Sequence, residues 1–202
     1  SADFIRRHQD EPFFLMITWN APHSPLQAPE EVTQKYVDAG FERGIALIYA
    51  MIEVMDRGIA KVREVLRTSG IEDDTLLMFT SDNGPAFSHR YDQVPDGVSL
   101  DGSRYNNGFA GSKGSVYEGG IRVPMIARWT NGLPQDIEID DQICFTDWLP
   151  TLLSLTGSDR VGEKPTDGHD MTATLRGDSP ENAPRRFWQW NGDSPIGVTN
   201  AA

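Results

Sequence analysis

The clearest hydrophobic pattern in the chain lies between residues 45 and 66. Apolar side chains recur there at alternating steps of three and four, at Ile45, Ile48, Ile52, Met55, Ile59, Val62 and Leu66. This spacing places them along one side of a helix of about seven turns, which ends at Ser69-Gly70. Such a stripe is typical of a helix packed on a core, and we assign it no catalytic role.

Shorter apolar runs predict β-strands on both sides of this helix. FFLMITW (Phe13 to Trp19) and the run from Thr75 to Thr80 are almost continuously apolar, which is typical of buried strands. Three more strands are predicted at Val123 to Trp129, within Asp141 to Asp147 and at RRFWQW, residues 185–190.

Two further helices complete the pattern. One is predicted from Glu30 to Val37. The other runs through LPTLLSLTG after a cap at Thr146 or Asp147, with Gly157 at its end. Strands and helices in alternation indicate an α/β layered fold.

Composition limits the classes of function. At 202 residues the chain can form one α/β domain with its own core, with at most a small appendage. The net charge of -12 argues against a nucleic-acid partner. No apolar run approaches the roughly 20 residues that span a bilayer, and the first residues show no signal-peptide pattern. The single Cys144 excludes an internal disulfide and a cysteine-based zinc site.

Three polar segments carry the candidate chemistry. Asn20 to His23 follow the first strand, and Asp82-Asn83 follow the strand at 75–80. Both lie where ligands bind in α/β sheets, beyond the carboxyl ends of strands. In the third segment, GSKGSVYEGG, glycines flank Lys113, so the backbone can approach a ligand while an ammonium is presented.

Each of these residues alone has a structural explanation. Asp-Asn-Gly is a common turn, His23 can be an ordinary loop residue, and Lys113 can be a solvated lysine. In combination they favour a site. An oxygen pair suits Ca²⁺, with Mg²⁺ as the alternative, and a histidine with a lysine suits an oxyanion and its leaving group.

The order of these motifs resembles a known family. NAPHSPLQAPEE, RTSGIEDDTLLMFTSDNGP, GSKGSVYEGGIRVPMIARW and DWLPTLLSLTG are similar to the C-terminal half of a type I (formylglycine) sulfatase, in the alkaline-phosphatase superfamily. The resemblance covers about Pro12 to Leu175. It implies a mixed, mainly parallel β-sheet flanked by helices and truncated at the N-terminus. Residues 1–180 would be the C-terminal part of the catalytic α/β domain, and 181–202 would begin a small C-terminal subdomain.

The resemblance also implies roles for single residues. Asp82 and Asn83 match the late pair of Ca²⁺ ligands. His23 matches the histidine of the H-x-P segment, which contacts the sulfate ester and assists the leaving-group oxygen. Lys113 matches the lysine that binds the sulfate. The segment after it is expected to fix the lysine loop, through Glu118, Gly119, Gly120 and Arg122.

The chain departs from the family at the nucleophile. A sulfatase of this kind needs a Cys or Ser in a C-x-P-x-R setting, oxidised to formylglycine, whereas Cys144 sits in I-C-F-T-D. The early aspartate pair of the calcium site is also absent. We therefore expect a fragment of a sulfuric ester hydrolase that is inactive alone. Apolar sheet edges, exposed where further strands are missing, predict self-association.

The substrate class is less well defined by the residues. The loop from Pro85 to Ala110 is expected to line the pocket mouth, with His89, Arg90 and Arg104 either contacting substrate or belonging to a mobile surface loop. We favour a sulfated carbohydrate over a small aryl sulfate, which fits a periplasmic or secreted parent protein. Two alternatives stay open: a phosphodiester or phosphonate monoester hydrolase of the same superfamily, and a non-catalytic module that binds sulfated glycans.

Overall fold

In the described part of the chain, three helices come first and are followed by interspersed strands and helices. A computed structural model describes residues 1–86, 106–159, 165–179 and 184–189, together with the backbone of 197–199. The helices are α1 Ala2–Arg7, α2 Glu30–Asp38, α3 Arg43–Thr68, α4 Glu118–Ile121, α5 Trp148–Thr156 and α6 Thr172–Leu175. The strands are β1 Leu77–Thr80, β2 Met125–Arg128, β3 Arg186–Trp188 and β4 Gly197–Thr199. The candidates His89, Arg90 and Arg104 lie outside the described residues.

Helix α3 confirms the strongest prediction from the sequence. It runs for 26 residues, ends at the cap Ser69, and is followed by Gly70 with a positive φ of 73°. Its buried face is broader than the predicted stripe and includes Ala46, Leu47, Ala50 and Met51, whereas Ile52 is 38% exposed. Leu47 and Met51 are covered by Leu26 of the loop before α2, and α2 also packs on α3. No helix in the described part of the chain is long and apolar enough to cross a membrane.

Two hydrophobic clusters use opposite ends of α3. The first joins Ile5 of α1 to Val62, Val65 and Leu66. The second joins Leu26 to Leu47 and Met51, with Ala21 and Ala28 packed around them. Because Leu26 is only 5% exposed, it anchors the proline-punctuated loop that carries His23 onto the helix.

The segment from Phe13 to Trp19 is not the strand that its composition predicts. It forms no β-strand, and its side chains Phe13, Leu15 and Ile17 pack against the first cluster. Phe14 and Met16 alternate with them and are 76% and 73% exposed. Only one face of this segment therefore packs against the core, and no strand among the described residues pairs with its edges. The predicted self-association through such exposed apolar surface stays a prediction.

The strands form two antiparallel pairs. Strand β1 pairs with β2, with Leu77 opposite Arg128 and Thr80 opposite Met125, and β3 pairs with β4. The predicted strands at 75–80, 123–129 and 185–190 are confirmed with shorter bounds. The mainly parallel sheet that the family resemblance implies does not lie within the described residues.

The strand predicted within Asp141 to Asp147 is wrong. Phe145–Asp147 is a 3-10 turn that leads directly into α5, because the Asp147 carboxylate accepts the Cys144 N–H at 2.7 Å and closes the turn. Asp147 is the residue before α5, as predicted, and Gly157 ends this helix with a positive φ of 64°.

Asp147 also ties the C-terminal segments together. Its buried carboxylate accepts the backbone N–H of His169 at 2.9 Å. It also accepts hydrogen bonds from the two terminal guanidinium nitrogens of Arg186, at 3.0 and 2.7 Å. Arg186 is itself buried. A buried bidentate pair that is satisfied by further hydrogen bonds holds its partners in one geometry. The carboxylate therefore connects the 3-10 turn, the segment before α6 and strand β3.

Glu53 of α3 holds α2 in place. Its carboxylate accepts hydrogen bonds from Lys35 Nζ and Tyr36 Oη, each at 2.7 Å, and from Arg57. These donors, led by Lys35, lower the pKa of Glu53 from its ordinary value of 4.5 to about 2. The helix pair is thus stabilised by the ionised form of Glu53.

This pKa shift predicts how stability depends on pH. Because the folded-state pKa is depressed, the stabilisation is fully present above about pH 4.5 and is lost as the pH falls towards 2. We expect Glu53→Gln to lower the free energy of unfolding at pH 7 and the difference from wild type to shrink between pH 4.5 and 2. Urea denaturation at several pH values measures this, with the exposed Glu31→Gln of α2 as the matched control. A difference that stays constant with pH would contradict the assignment.

Candidate functional site

The site is built on the loop that follows β1. Strand β1 ends at Thr80, and Ser81 Oγ donates to the carbonyl oxygen of Asn83 at 3.0 Å across the next turn. The Asn83 Nδ2 donates to the carbonyl oxygen of Gly84 at 2.9 Å. Since this bond uses the NH₂ end of the amide, Oδ1 is the end left to bind a ligand. Asp82 is exposed beside it.

Backbone hydrogen bonds join this loop to the one that carries Lys113. The Gly84 N–H donates to the carbonyl oxygen of Gly120 at 3.0 Å, and the Lys113 N–H donates to the carbonyl oxygen of Pro85 at 2.8 Å. Each of the two segments donates one of these bonds and accepts the other. We call the linked segments, residues 81–86 and 109–122, the paired loops, and we call the second of them the lysine loop.

The close approach of the paired loops requires glycine at position 84, and the fold of the second loop itself requires glycine at 119 and 120. A Cβ placed on Gly84 would overlap the carbonyl of Gly119. A Cβ on Gly119 would overlap the carbonyl of Gly111, and one on Gly120 would overlap that of Ser115. Gly84 has no positive φ, so the neighbouring backbone requires it and turn geometry does not. The turn explanation of Asp-Asn-Gly therefore does not account for this glycine.

Lys113 combines a fixed backbone with a free side chain. Its N–H is bonded to Pro85, and glycines with positive φ stand on both sides, Gly111 at 81° and Gly114 at 87°. The side chain is exposed, and its ammonium has no hydrogen bond or ion pair with the residues that the structure describes. The charge is therefore available to an anion.

His23 is oriented by its own loop. Its N–H donates to the Asn20 carbonyl oxygen at 2.7 Å, and Nδ1 lies 2.6 Å from the Ser24 carbonyl oxygen. Because a carbonyl can only accept, Nδ1 carries the hydrogen, and Nε2 is the nitrogen that can take up or release a proton. The ring is exposed. These hydrogen bonds remain within the loop, so they do not join His23 to Lys113 or to Asp82-Asn83.

The oxygens of Asp82 and Asn83 fit part of a calcium site. Both are hard donors, and the Asp82 carboxylate has no ion pair among the described residues. Calcium takes six to eight oxygen ligands, so this pair does not complete a site. Within the described ranges, no group of three or more His, Cys, Asp or Glu side chains could hold a metal ion.

Cys144 has no features of a nucleophile. It is half-buried at the start of the 3-10 turn, and burial raises the pKa of its thiol. A raised pKa lowers the fraction of reactive thiolate.

The sequence interpretation missed Asn106. This residue is 7% exposed, and its side chain donates to two carbonyl oxygens of the lysine loop. The sequence shows two adjacent asparagines, Asn106 and Asn107, and gives no signal that one is buried and the other exposed.

Comparison with known proteins gives a consistent family. The sulfatase family profile matches residues 1–158. The chain is 33% identical to steryl-sulfatase of Mus musculus over 181 residues, which is 89% of this chain and 27% of that protein. It is 28% identical to N-acetylgalactosamine-6-sulfatase of Canis lupus familiaris over 207 residues, 98% of this chain and 35% of that protein.

Solved structures agree with the sequence relatives. The structure of Ps i-CgsB in complex with k-i-k-neocarrahexaose superimposes with a TM-score of 0.78 and 25% identity, over 98% of this chain and 46% of that chain. The chain therefore spans less than half the length of these relatives. The match confirms the expected α/β fold of sulfatases. With a family profile over most of its length and a relative at 33% identity, the chain belongs to the sulfatase family.

Proposed function

We propose that this chain is part of an enzyme that hydrolyses sulfate esters, with the sulfate bound at the paired loops. The observation that supports this most is the backbone pairing between residues 81–86 and the Lys113 loop. This pairing supports a site in which the Asp82 and Asn83 oxygens act together with the Lys113 ammonium, which has no partner among the described residues. In this proposal residues 1–180 belong to the catalytic domain, and residues 181–202 begin a small C-terminal subdomain.

Asp82 and Asn83 would hold the metal, for which we propose Ca²⁺. A bound Ca²⁺ supplies positive charge that polarises a sulfate oxygen. The Asn83 amide is suited to this because its hydrogen bond to Gly84 uses the NH₂ end and leaves Oδ1 as the end that can bind the metal. The other ligands would come from outside the described residues. The formylglycine of the family does not fit Cys144, so we derive no step through it.

Lys113 would bind the sulfate directly. Its ammonium has no ion pair among the described residues, whereas the Arg122 guanidinium of the same loop is paired with Glu118. The Lys113 backbone is fixed by the bond to Pro85. Charge that grows on the bridging oxygen as the S–O bond breaks is stabilised by a cation already held in place. The lysine thus acts on the transition state more than on the ground state.

His23 would serve the leaving group. With Nδ1 held by the Ser24 carbonyl, the protonated ring presents Nε2–H outward. This hydrogen can pass to the ester oxygen as the bond to sulfur breaks, so that the alcohol leaves neutral. The ring then returns to its neutral form with Nδ1 still donating to Ser24.

For the substrate we propose a sulfated carbohydrate. The support is the solved structure of Ps i-CgsB in complex with k-i-k-neocarrahexaose, which matches 98% of this chain. The sequence relatives include proteins named for steryl and aryl sulfates as well as for N-acetylgalactosamine-6-sulfate. His89 and Arg90, proposed as further substrate contacts, lie outside the described residues. A panel of sulfated oligosaccharides, steryl sulfate and aryl sulfate, assayed by sulfate release, distinguishes these classes.

Loss of Lys113 should lower sulfate release in the protein that joins this chain to a formylglycine-bearing region. We expect Lys113→Ala to reduce kcat/KM by about 100-fold or more, the typical effect of removing one donor to a developing oxyanion. Lys61→Ala, at an exposed lysine of α3, is the matched control and should keep wild-type activity. This chain alone should show no turnover.

The alternatives give different outcomes in the same assay. Release of phosphate from phosphonate monoesters or phosphodiesters, faster than sulfate release, would favour the other hydrolase class. Binding of sulfated glycans with no turnover in the complete protein would favour a binding module. Wild-type sulfate release by Lys113→Ala would overturn the proposed role of the lysine.

Calcium binding can be tested on this chain directly. Because it supplies only part of the coordination sphere, we expect weak Ca²⁺ binding by isothermal titration, with a dissociation constant of about 1 mM or weaker. Asp82→Ala should abolish it. Asp74→Asn changes an exposed carboxylate at the other end of β1 and should leave it intact. Equal binding by both variants would contradict the assignment of Asp82.

A further inference from the structure

Asn106 is a buried polar residue to which the proposed chemistry gives no role. Its Nδ2 donates to the carbonyl oxygens of Phe109 at 2.6 Å and of Gly111 at 3.1 Å. The backbone carbonyl oxygen of Asn106 accepts the Phe109 N–H at 3.0 Å. A buried amide that is bonded in this way organises the turn around it.

These bonds control the backbone that leads to Lys113. The carbonyl of Ala110, between the two that Asn106 holds, accepts the Gly119 N–H at 2.8 Å. Three consecutive carbonyl groups, those of residues 109–111, are therefore bonded just before the lysine. The next fixed point is the Lys113 N–H on Pro85. The path of the lysine loop is thus defined on one side by Asn106 and on the other by residues 81–86.

The Arg122 side chain contacts the same turn through the Phe109 ring. The Arg122 guanidinium lies 4.9 Å from the centre of the Phe109 ring, and Arg122 also pairs with Glu118 at 3.0 Å. Phe109 is therefore held through its carbonyl by Asn106 and through its ring by Arg122. Glu118 and Arg122 belong to the EGGIR segment, which was expected to fix the lysine loop.

We propose that Asn106 is a positioning residue that aims the Lys113 ammonium at the sulfate, an inference that rests on the proposed function. A lysine side chain has several rotatable bonds, so its charge can be placed only if its backbone is fixed. A single Asn NH₂ group supplies the two donors that the two carbonyls need. Aspartate has the same shape but no donor, and it would set a carboxylate against both carbonyl oxygens.

The test compares the same chemical change at two neighbouring positions. Asn106→Asp removes both donors, whereas Asn107→Asp adds the same charge at the exposed neighbour. In the complete sulfatase we expect Asn106→Asp to lower kcat by about tenfold or more, with a smaller change in KM, because a displaced cation acts mainly on the transition state. Asn107→Asp should change kcat by less than about twofold.

A double variant separates positioning from a general structural effect. If Asn106 acts through Lys113, then Asn106→Asp should cause no further loss of kcat in a Lys113→Ala background. A further tenfold loss there would overturn the proposal. So would equal kcat values for Asn106→Asp and Asn107→Asp. No effect of Lys113→Ala itself would instead overturn the proposed function, so the two failures are distinguishable.

Urea denaturation of each variant checks that it folds. If Asn106→Asp does not fold, Asn106→Ser, which retains one hydroxyl donor, replaces it. The serine variant should then show a lowered kcat with a native unfolding midpoint. A wild-type kcat in Asn106→Ser would overturn the proposal.

Discussion

The close contact of two backbone segments is the constraint on which the rest of the site depends. Residues 81–86 lie so close to the lysine loop that the Gly84 N–H donates to the Gly120 carbonyl and the Lys113 N–H donates to the Pro85 carbonyl. Glycine is required at 84 because a Cβ there would overlap the facing carbonyl of Gly119. It is required at 119 and 120 because a Cβ there would overlap carbonyls within residues 109–122. Asp82, Asn83 and Lys113 owe their proximity to this contact. Their roles as ligands and sulfate donor are our proposal, and the contact is its structural basis.

The remaining parts of the chain supply support for this unit. Helix α3 carries two hydrophobic clusters and, through Leu26, anchors the loop of His23. The buried Asp147–Arg186 pair joins α5 to the segment before α6 and to β3. His23 is thus placed by a different scaffold from Lys113. A sulfate held between them would be bound by two independently supported groups, which would suit separate roles at the sulfate oxygens and the leaving group.

Sequence reasoning succeeded where the signal is local. Helix α3 was predicted because its periodicity continues for many turns, and α5 because Asp147 and Gly157 mark its ends. Sequence reasoning failed at Phe13 to Trp19 and within Asp141 to Asp147. The apolar composition of both segments suits a strand, but whether a strand forms depends on the backbone groups around it. The first segment lacks a pairing strand among the described residues, and the second is closed into a turn by Asp147.

At the candidate site, too, local motifs could be found from the sequence, whereas contacts between distant segments could not. Motif order drew attention to Asp82, Asn83, His23 and Lys113, although their roles stay a proposal. The function of Gly84 as a contact point could not be predicted, because it depends on a segment more than thirty residues away in sequence. Asn106 could not be distinguished from Asn107 for the same reason, since burial is a property of the folded chain.

Amide hydrogen exchange at Gly84 and Lys113 tests the central claim most directly. If the paired loops form one unit, both amide protons are protected, and they open with similar free energies because each bond closes the same contact. Ser115 and Gly119, bonded within the lysine loop, provide internal references. Exchange of Gly84 and Lys113 at the rates of unstructured amides, while α3 stays protected, would contradict the account.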